Sequence, residues 1–298
     1  MSKEITLPTG ISEAPPQISE SRRFIRVFLN RGVVVFGIVI IILFLVTAAF
    51  APLIAPYDPY EQHFDQSLHM PSKAHLLGTD TLGRDTLSRM IYGTRYSLMV
   101  GVIALGIAAV VGMILGLFAG YFGGWVQATI MRLMDSLMAF PMILLALVVA
   151  GMLGAGLKNV MVALGIALVP GYARMMCGQA LSVKENDYIL AERSLGAGNV
   201  RIMFRHIFPN CLPPLIVMIT MMMGTTMLAE AGLSFLGIGI EIPNAAWGGM
   251  ISEGYKYVLT NPILSLAPGL ALMVVVFSFN MVGDGLRDAL DPRLRGTI

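Results

Sequence analysis

Charged residues are scarce in this chain, since lysine, arginine, aspartate and glutamate together make up only 13% of its 298 residues. A soluble globular domain is about 25% charged. Because 56% of the chain is hydrophobic, the composition excludes an ordinary soluble domain and predicts an integral membrane protein. The long uncharged runs described below predict that it is an all-α membrane protein. The net charge of +2 says little about partners. We expect the lipid bilayer as a partner and no nucleic acid.

Cysteine is nearly absent as well, because Cys177 and Cys211 are the only two, and both fall in or beside apolar runs. Their spacing indicates neither a disulfide nor a metal site. The 22 methionines are spread through the same runs, which favours a packing role over a path for a soft metal. We therefore expect this chain to bind no metal and no cofactor.

Sequence patterns that would indicate catalysis are also missing. No lysine follows a glycine, although the P-loop that binds nucleotide phosphates requires that step. No His-Glu-x-x-His zinc motif occurs, and Ser234 has no evident histidine partner, since His206 is predicted at the opposite membrane face. These absences argue against an enzyme, and we expect any ATP to be bound by partner chains.

Long uncharged runs dominate the chain instead, and a membrane-spanning helix needs about 20 apolar residues. The first run is too long and begins too far from Met1 for a cleaved signal peptide, so we interpret it as an anchor. The fourth run is interrupted by Pro170, Gly171 and Arg174, and its helix could end with the run or extend to about Val183. Six transmembrane helices are predicted, within 32–57, 96–131, 136–157, 159–173, 207–229 and 257–283.

The distribution of positive charge predicts how these spans are oriented. Lysine and arginine are more frequent in the segments on the same side of the membrane as the N-terminus, whereas acids offset the bases of 58–95 on the other side. Because basic loops stay in the cytoplasm, we expect both termini to be cytoplasmic. The same holds for the polar, basic segment 184–206 between the fourth and fifth spans, which we call the island. Residues 1–21 are rich in Pro, Ser and Glu, which predicts a disordered tail.

The island between the fourth and fifth spans has the pattern of a helical hairpin. Gly196 and Gly198 permit a sharp reversal. Asn186 or Asp187 is placed to cap the helix before this reversal. The segment 188–210 is therefore predicted to form two short helices that are broken at 196–198.

The second arm of this hairpin carries an apolar stripe and a basic face. Asn199 is placed to cap it, Pro209 to end it, and Arg201 and Arg205 lie four residues apart. Two interpretations stay open, namely helices lying on anionic lipid headgroups or a docking site for a soluble protein. The tight reversal favours docking, since a helix on lipid needs no hairpin. The stripe repeats at i, i+3, i+4 and i+7 and consists of Val200, Met203, Phe204 and Ile207.

The hairpin resembles the EAA loop of bacterial ABC-importer permeases, whose pattern is Glu-Ala-Ala, three residues, Gly, nine residues and Ile-x-Leu-Pro. Ala191, Gly196 and Pro209 match that pattern, whereas Leu190 replaces the first Glu and Glu192 the last Ala. By this resemblance a loop at about 184–209 couples the permease to an ATPase. Its candidate contact residues are Leu190, Ala191, Glu192, Leu195, Gly196, Ala197, Val200, Arg201, Phe204, Arg205 and Pro209.

Further segments resemble the C-type subunit of the dipeptide and oligopeptide permeases, a family that also includes nickel permeases. They occur in the family's order, at 75–89, 232–239, 247–248 and 279–292. The resemblance implies the type I ABC-importer permease fold in a bacterial or archaeal cytoplasmic (inner) membrane. We divide the chain accordingly into a cytoplasmic tail (1–31), the first transmembrane helix with an extracytoplasmic segment (32–92), a permease core of five helices (93–289) and a second cytoplasmic tail (290–298).

The same resemblance implies a function, which is to form half of the translocation pathway of an ATP-driven importer of di- or oligopeptides. Its implied partners are a second homologous permease subunit, two cytoplasmic ABC ATPase subunits and an extracytoplasmic substrate-binding protein. Nickel or another small solute is the alternative cargo. An ion-driven secondary transporter is a different class, and the few acids and bases within the spans argue against it.

Glu230 lies toward the outer end of the fifth span, where an acid is costly and usually faces a cavity or a partner. One interpretation is that Glu230 lies on the substrate pathway and attracts the amino terminus of a peptide. The other is that it sits at the interface and meets water or a helix end.

Three further groups of polar residues have structural interpretations. Arg132 and Asp135 are three apart and are expected to pair, and Asp284 is expected to cap a short terminal helix. The third group is three histidines, each six residues after the one before. This spacing does not place them on one helical face and does not favour a metal site. It consists of His63, His69 and His75.

Overall fold

The computed structural model describes residues 20–240 and 243–290. Within these ranges the chain forms helices and no strand, apart from one isolated bridge between Thr79 and Asp85. Most of the predicted N-terminal tail and the tail after 290 lie outside the described residues. The α-helices of the described ranges are α1 (Glu20–Leu29), α2 (Gly32–Ala49), α3 (Ala51–Ile54), α4 (Thr86–Phe122), α5 (Gly124–Met138), α6 (Met142–Leu153), α7 (Leu157–Lys184), α8 (Asp187–Ser194), α9 (Asn199–Arg201), α10 (Phe208–Phe235), α11 (Trp247–Tyr255) and α12 (Ile263–Leu290).

Small residues bring α4 and α7 into backbone contact along their length. A Cβ added at Gly112 would lie 2.6 Å from the Cβ of Tyr172, and one added at Gly120 would lie 2.7 Å from the Cβ of Ala180. Gly116, midway between them, approaches Ala173 and Met176 in the same way. Close approach through small residues four apart is a recurring way to pack membrane helices, because their association depends on van der Waals contact.

The order of these contacts shows that α4 and α7 are parallel, since positions later in α4 meet positions later in α7. The chain between two parallel helices must return from the end of the first to the start of the second. Helices α5 and α6 make this return and meet at 90°. Helices α2, α4, α7, α10 and α12 are each long and apolar enough to cross a membrane. The predicted number of six crossings is reached when the bent pair is counted as one span.

The third span therefore differs from the straight helix predicted at 136–157. The break between α5 and α6 falls at 139–141 and ends on Pro141, which precedes the first residue of α6. Proline has no N–H to donate and disfavours the helical conformation of the residue before it, here Phe140. Asp135, near the end of α5, pairs with Arg174 of α7. The predicted pair of Asp135 with Arg132 is therefore wrong, because α7 packs on α5 and brings in a second arginine.

At the C-terminal end, α12 runs without interruption to Leu290. The prediction that Asp284 caps a separate helix is wrong, because Asp284 lies inside α12. Its two glycine neighbours permit close packing and do not break the helix. A Cβ at Gly283 would lie 2.6 Å from the Cγ of Met221, and one at Gly285 would lie 2.5 Å from a methyl group of Val34.

The two ends of the bundle differ in character. Helices α4 and α7 finish at the end that carries the helical hairpin, which we call the hairpin end. Helix α12 finishes there, because it is antiparallel to α10: its Val276 packs on Gly224, and its Gly283 packs on the earlier residue Met221. Helix α2 begins there, since Arg31 pairs with Asp288 at 2.7 Å. The opposite end, which we call the outer end, carries the segment 55–85, the first turn of α4, and α11.

Buried charges hold the outer segment against the first turn of α4. Arg84 and Arg89 are both buried, and each has its Nε near Oδ2 of Asp80, at 2.6 Å and 3.3 Å respectively. Glu253 of α11 lies 3.6 Å from Arg84 and 3.9 Å from Arg89. Because a buried charge is costly unless it is paired, these four residues fix where α4 begins relative to α11.

We predict that Gly116→Leu lowers the thermal stability of the detergent-solubilised protein, because overpacking a close helix contact costs about 1–3 kcal/mol. Gly106→Leu is the matched control. Gly106 lies on the same helix, is exposed, and has no atom within 4 Å of an added Cβ. Equal unfolding temperatures for the two variants would contradict the α4–α7 contact.

Candidate functional site

The predicted hairpin is present, with α8 as its first arm and a reversal at 195–198. The second arm differs from the prediction, because it does not end at Pro209. Helix α9 passes through a π-helical turn (Ile202–Ile207) directly into α10, so that Asn199–Phe235 forms one long helical element. The second arm is therefore the extended end of a membrane span.

The reversal depends on Gly196. The N–H of Gly196 donates to the carbonyl of Arg193, and the N–H of Ala197 donates to the carbonyl of Glu192, both at 3.0 Å. These two bonds form a Schellman motif, whose turning residue adopts a left-handed conformation. Gly196 has φ +83°, as the motif requires. Gly198 has φ −69°, so the reversal needs glycine at Gly196 but not at Gly198.

The caps at the reversal differ from the prediction. Gly198 is the N-cap of the second arm, and Asn199 is its first residue. The side chain of Asn199 accepts a hydrogen bond from the hydroxyl of Tyr121 at 2.7 Å and makes no cap. Asn186 is the N-cap of α8, but its amide donates to the carbonyl of Val183. Both asparagine side chains therefore bind neighbouring elements and cap no helix.

The π turn splits the predicted apolar stripe. Met203 and Ile207 are buried, together with Ile202, whereas Val200 and Phe204 are exposed. In a π turn the hydrogen bonds join residues i and i+5. Side chains at i, i+3, i+4 and i+7 then no longer lie on one face, as they would in a regular α-helix. The N–H of Phe208 donates to the carbonyl of Met203 in this way. The helix then continues through Pro209, which lies in its first turn after the π segment.

Contacts between the two arms make the hairpin compact. Ile189 of the first arm is fully buried and belongs to the same apolar cluster as Ile202 and Met203. At its rim, Nε2 of His206 lies 3.7 Å from a carboxylate oxygen of Glu192. The amide of Asn210 donates to the hydroxyl of Tyr188 at 3.3 Å. The arms are thus joined by packing and by polar contacts along their length.

The outward face of the hairpin is apolar with a basic border. Leu195 is 84% exposed and Val200 is 68% exposed, and Leu190 and Phe204 are also exposed. Among the candidate contact residues, Glu192 and Ala197 are half-buried by the hairpin itself. The exposed ones are Leu190, Ala191, Leu195, Gly196, Val200, Arg201, Phe204, Arg205 and Pro209. Exposed aliphatic and aromatic side chains next to arginines are typical of a protein-docking surface.

Glu230 is enclosed at the outer end of α10, where its side chain is 1% exposed. The hydroxyl of Ser234 donates to its Oε1 at 2.6 Å, and the N–H of Ile240 donates to that hydroxyl at 3.3 Å. Its second oxygen has no hydrogen-bond partner among the described residues. Glu230 is therefore shielded from the surface of this chain, and its bond to Ser234 helps to hold the chain that follows α10.

Tyrosines at the outer end link the outer segment to the chain before α11. The hydroxyl of Tyr96 donates to the side chain of Asn244 at 2.9 Å, and the hydroxyl of Tyr60 lies 2.9 Å from that of Tyr96. Burial and this hydrogen bond raise the pKa of Tyr60 above its usual value. Tyr60 therefore stays protonated further into the alkaline range than an exposed tyrosine, and its hydroxyl remains a donor there.

The histidines of the outer segment hold local structure. His75 lies between Asp85 and Gln66, at 2.9 Å and 3.0 Å, and His63 lies 3.4 Å from Glu61. In the part of the chain that the structure describes, no three His, Cys, Asp or Glu side chains are arranged to hold a metal ion.

Five long apolar helices with one bent helix pair, a compact hairpin at one end and a segment held by buried ion pairs at the other define a polytopic membrane protein. The fold is similar to that of a chain of the MetNI methionine ABC transporter, solved in inward-facing conformations, with a TM-score of 0.57 and 20% identity. The similarity covers 69% of this chain and 97% of that chain.

Residues 112–296 match the family described as binding-protein-dependent transport system inner membrane component, and residues 19–71 match the N-terminal TM domain of oligopeptide transport permease C. The chain is 40% identical to the dipeptide transport system permease protein DppC of Alkalihalophilus pseudofirmus, over 93% of this chain and 91% of that protein. It is 42% identical to the glutathione transport system permease protein GsiD of an Escherichia coli strain (O6:K15:H31), over 92% of this chain and 90% of that protein.

The chain belongs to the family of binding-protein-dependent transport system inner membrane components, within the ABC permeases of the peptide and nickel group. The predicted family and fold class are confirmed by these matches.

We predict that Gly196→Val opens the hairpin reversal, because a side chain held in a sparsely populated left-handed conformation costs about 1–3 kcal/mol. Hydrogen exchange measured by mass spectrometry over 187–207 should become faster. Gly198→Val is the control, since neither position has an atom within 4 Å of an added Cβ and only Gly196 has positive φ. Similar exchange rates in the two variants would contradict the role given to Gly196.

Proposed function

We propose that this chain is a transmembrane permease subunit of an ATP-driven importer and forms half of the translocation pathway for di- or oligopeptides. The observation that carries the proposal is the similarity to DppC and GsiD over more than nine-tenths of the chain. One relative is named for dipeptides and the other for glutathione, which is itself a tripeptide. Nickel and other small solutes are less favoured, because the names of these relatives point to peptides.

In this proposal the hairpin is the docking site for one of two cytoplasmic ABC ATPases, which bind the ATP that drives import. Its exposed apolar face suits a groove on a soluble partner, and Arg201 and Arg205 border it. Closure of the ATPases upon ATP binding would move the hairpin as a rigid body. The contacts between its arms support this role, because a compact hairpin transmits a displacement that a loose loop would absorb.

The proposed arrangement places the hairpin end and both termini in the cytoplasm. The excess of basic residues on that side supports this orientation, and the pairing of Arg31 with Asp288 keeps the start of α2 and the end of α12 at the hairpin end. A second homologous permease would complete the pathway, and a substrate-binding protein would dock at the outer end. The subunit then contributes transport and no catalysis of its own.

We predict that Leu195→Asp weakens binding of the ATPases about tenfold or more, because the substitution would bury an unpaired charge within an apolar docking surface. The measurement is co-purification of the ATPase subunits with the permease, followed by ATP-driven uptake in proteoliposomes. Leu259→Asp is the control, since Leu259 is 97% exposed at the outer end. Retention of the ATPases by Leu195→Asp to the same extent as by the control would contradict docking at the hairpin.

Glu230 allows the proposed cargo to be tested. If its carboxylate attracts the amino terminus of a peptide once the outer ends separate, Glu230→Gln should reduce uptake of free peptides more than uptake of N-acetylated peptides. Glutamine retains an oxygen that accepts from Ser234, so the substitution mainly removes charge. Equal losses for both kinds of peptide, or no loss, would contradict recognition of the amino terminus and leave Glu230 with its contact to Ser234.

A further inference from the structure

Tyr121 lies one residue before the end of α4 and contacts both arms of the hairpin and the end of α7. Its side chain is 5% exposed. Its hydroxyl donates to Oδ1 of Asn199, at the start of the second arm, at 2.7 Å. The two residues are 78 positions apart in sequence, so this bond joins α4 directly to the far side of the reversal.

The ring of Tyr121 also binds the first arm. The guanidinium carbon of Arg193, in α8, lies 5.4 Å from the ring centroid, and Nζ of Lys184, the last residue of α7, lies 6.0 Å from it. A cation within about 6 Å of an aromatic ring is attracted by its electron-rich face. A single side chain therefore holds the end of α7, the first arm and the second arm.

We propose that Tyr121 is a positioning residue for transport, which transmits movement of the hairpin to the α4–α7 pair. The proposal rests on the coupling role of the hairpin described above. Tyr121 follows Gly120, whose backbone is in close contact with Cys177 and Ala180 of α7. A displacement of the hairpin is thus passed to a point where α4 and α7 are in close contact.

The hydroxyl of Tyr121 contributes to position more than to stability. Asn199 is exposed, so its side-chain oxygen can bind water when the hydroxyl is removed. Tyr121→Phe thus leaves no buried polar group without a partner. An unpaired buried polar group is the main reason that a lost hydrogen bond destabilises a protein. The thermal unfolding temperature should change little, while the hairpin loses its one hydrogen bond to α4 among the described residues.

The test uses the assembled importer in proteoliposomes, with its ATPases and binding protein and a dipeptide as probe. We compare Tyr121→Phe, Asn199→Ala and the double variant by the number of ATP molecules hydrolysed per dipeptide imported. Each single variant should raise this ratio by about two- to tenfold, the range expected for one neutral hydrogen bond. The double variant should be no worse than either single variant, because both remove the same bond.

Tyr172→Phe is the matched control. Tyr172 is a buried tyrosine of α7, and its hydroxyl has no hydrogen-bond partner among the described residues. The number of ATP molecules that Tyr172→Phe hydrolyses per dipeptide imported should therefore stay at the wild-type value. An unchanged ratio for Tyr121→Phe, or effects of the two single variants that multiply in the double variant, would overturn the proposal. Failure of the docking proposal can be distinguished from failure of the Tyr121 proposal. If the hairpin is not the docking site, Leu195→Asp binds the ATPases normally.

Discussion

The close parallel packing of α4 on α7 is the constraint on which the rest of the molecule depends. Glycines four residues apart let the two backbones touch, and Tyr172 and Ala173 fill the space that larger residues of α4 would occupy. Because the pair is parallel, the intervening chain must cross back, which α5 and α6 do with a bend. Because both helices finish at the same end, the hairpin that follows α7 is placed beside the last turn of α4.

Because the hairpin lies beside α4, it packs as part of the helical bundle. Its second arm continues into α10, and Ile189, Ile202 and Met203 bury the inner face. What remains exposed is an apolar and basic surface whose position is determined by three spans. A lipid-binding helix pair would need none of these attachments, so they favour the docking interpretation over the lipid interpretation that periodicity alone leaves open.

Local patterns were sufficient to locate the hairpin, its reversal and most crossings, because glycine placement and apolar run length act over a few residues. Patterns failed where a distant element decides the outcome. Pro141 bends a span whereas Pro209 does not, since a π turn precedes the latter and nothing in the sequence marks it. Asp135 has Arg132 nearby in sequence but pairs with Arg174, and the glycines beside Asp284 serve packing, not termination.

Helix α4 connects the two chemically different ends of the molecule. It has 37 residues, which gives a length of about 55 Å at 1.5 Å per residue. Its first turn carries Arg89, held with Arg84 by Asp80 and Glu253, and its last turn carries Tyr121. A helix fixed by buried charge at one end and by a tyrosine at the other cannot follow the hairpin without moving the outer segment too. The attachments at the two ends of the molecule are therefore linked through one continuous helix.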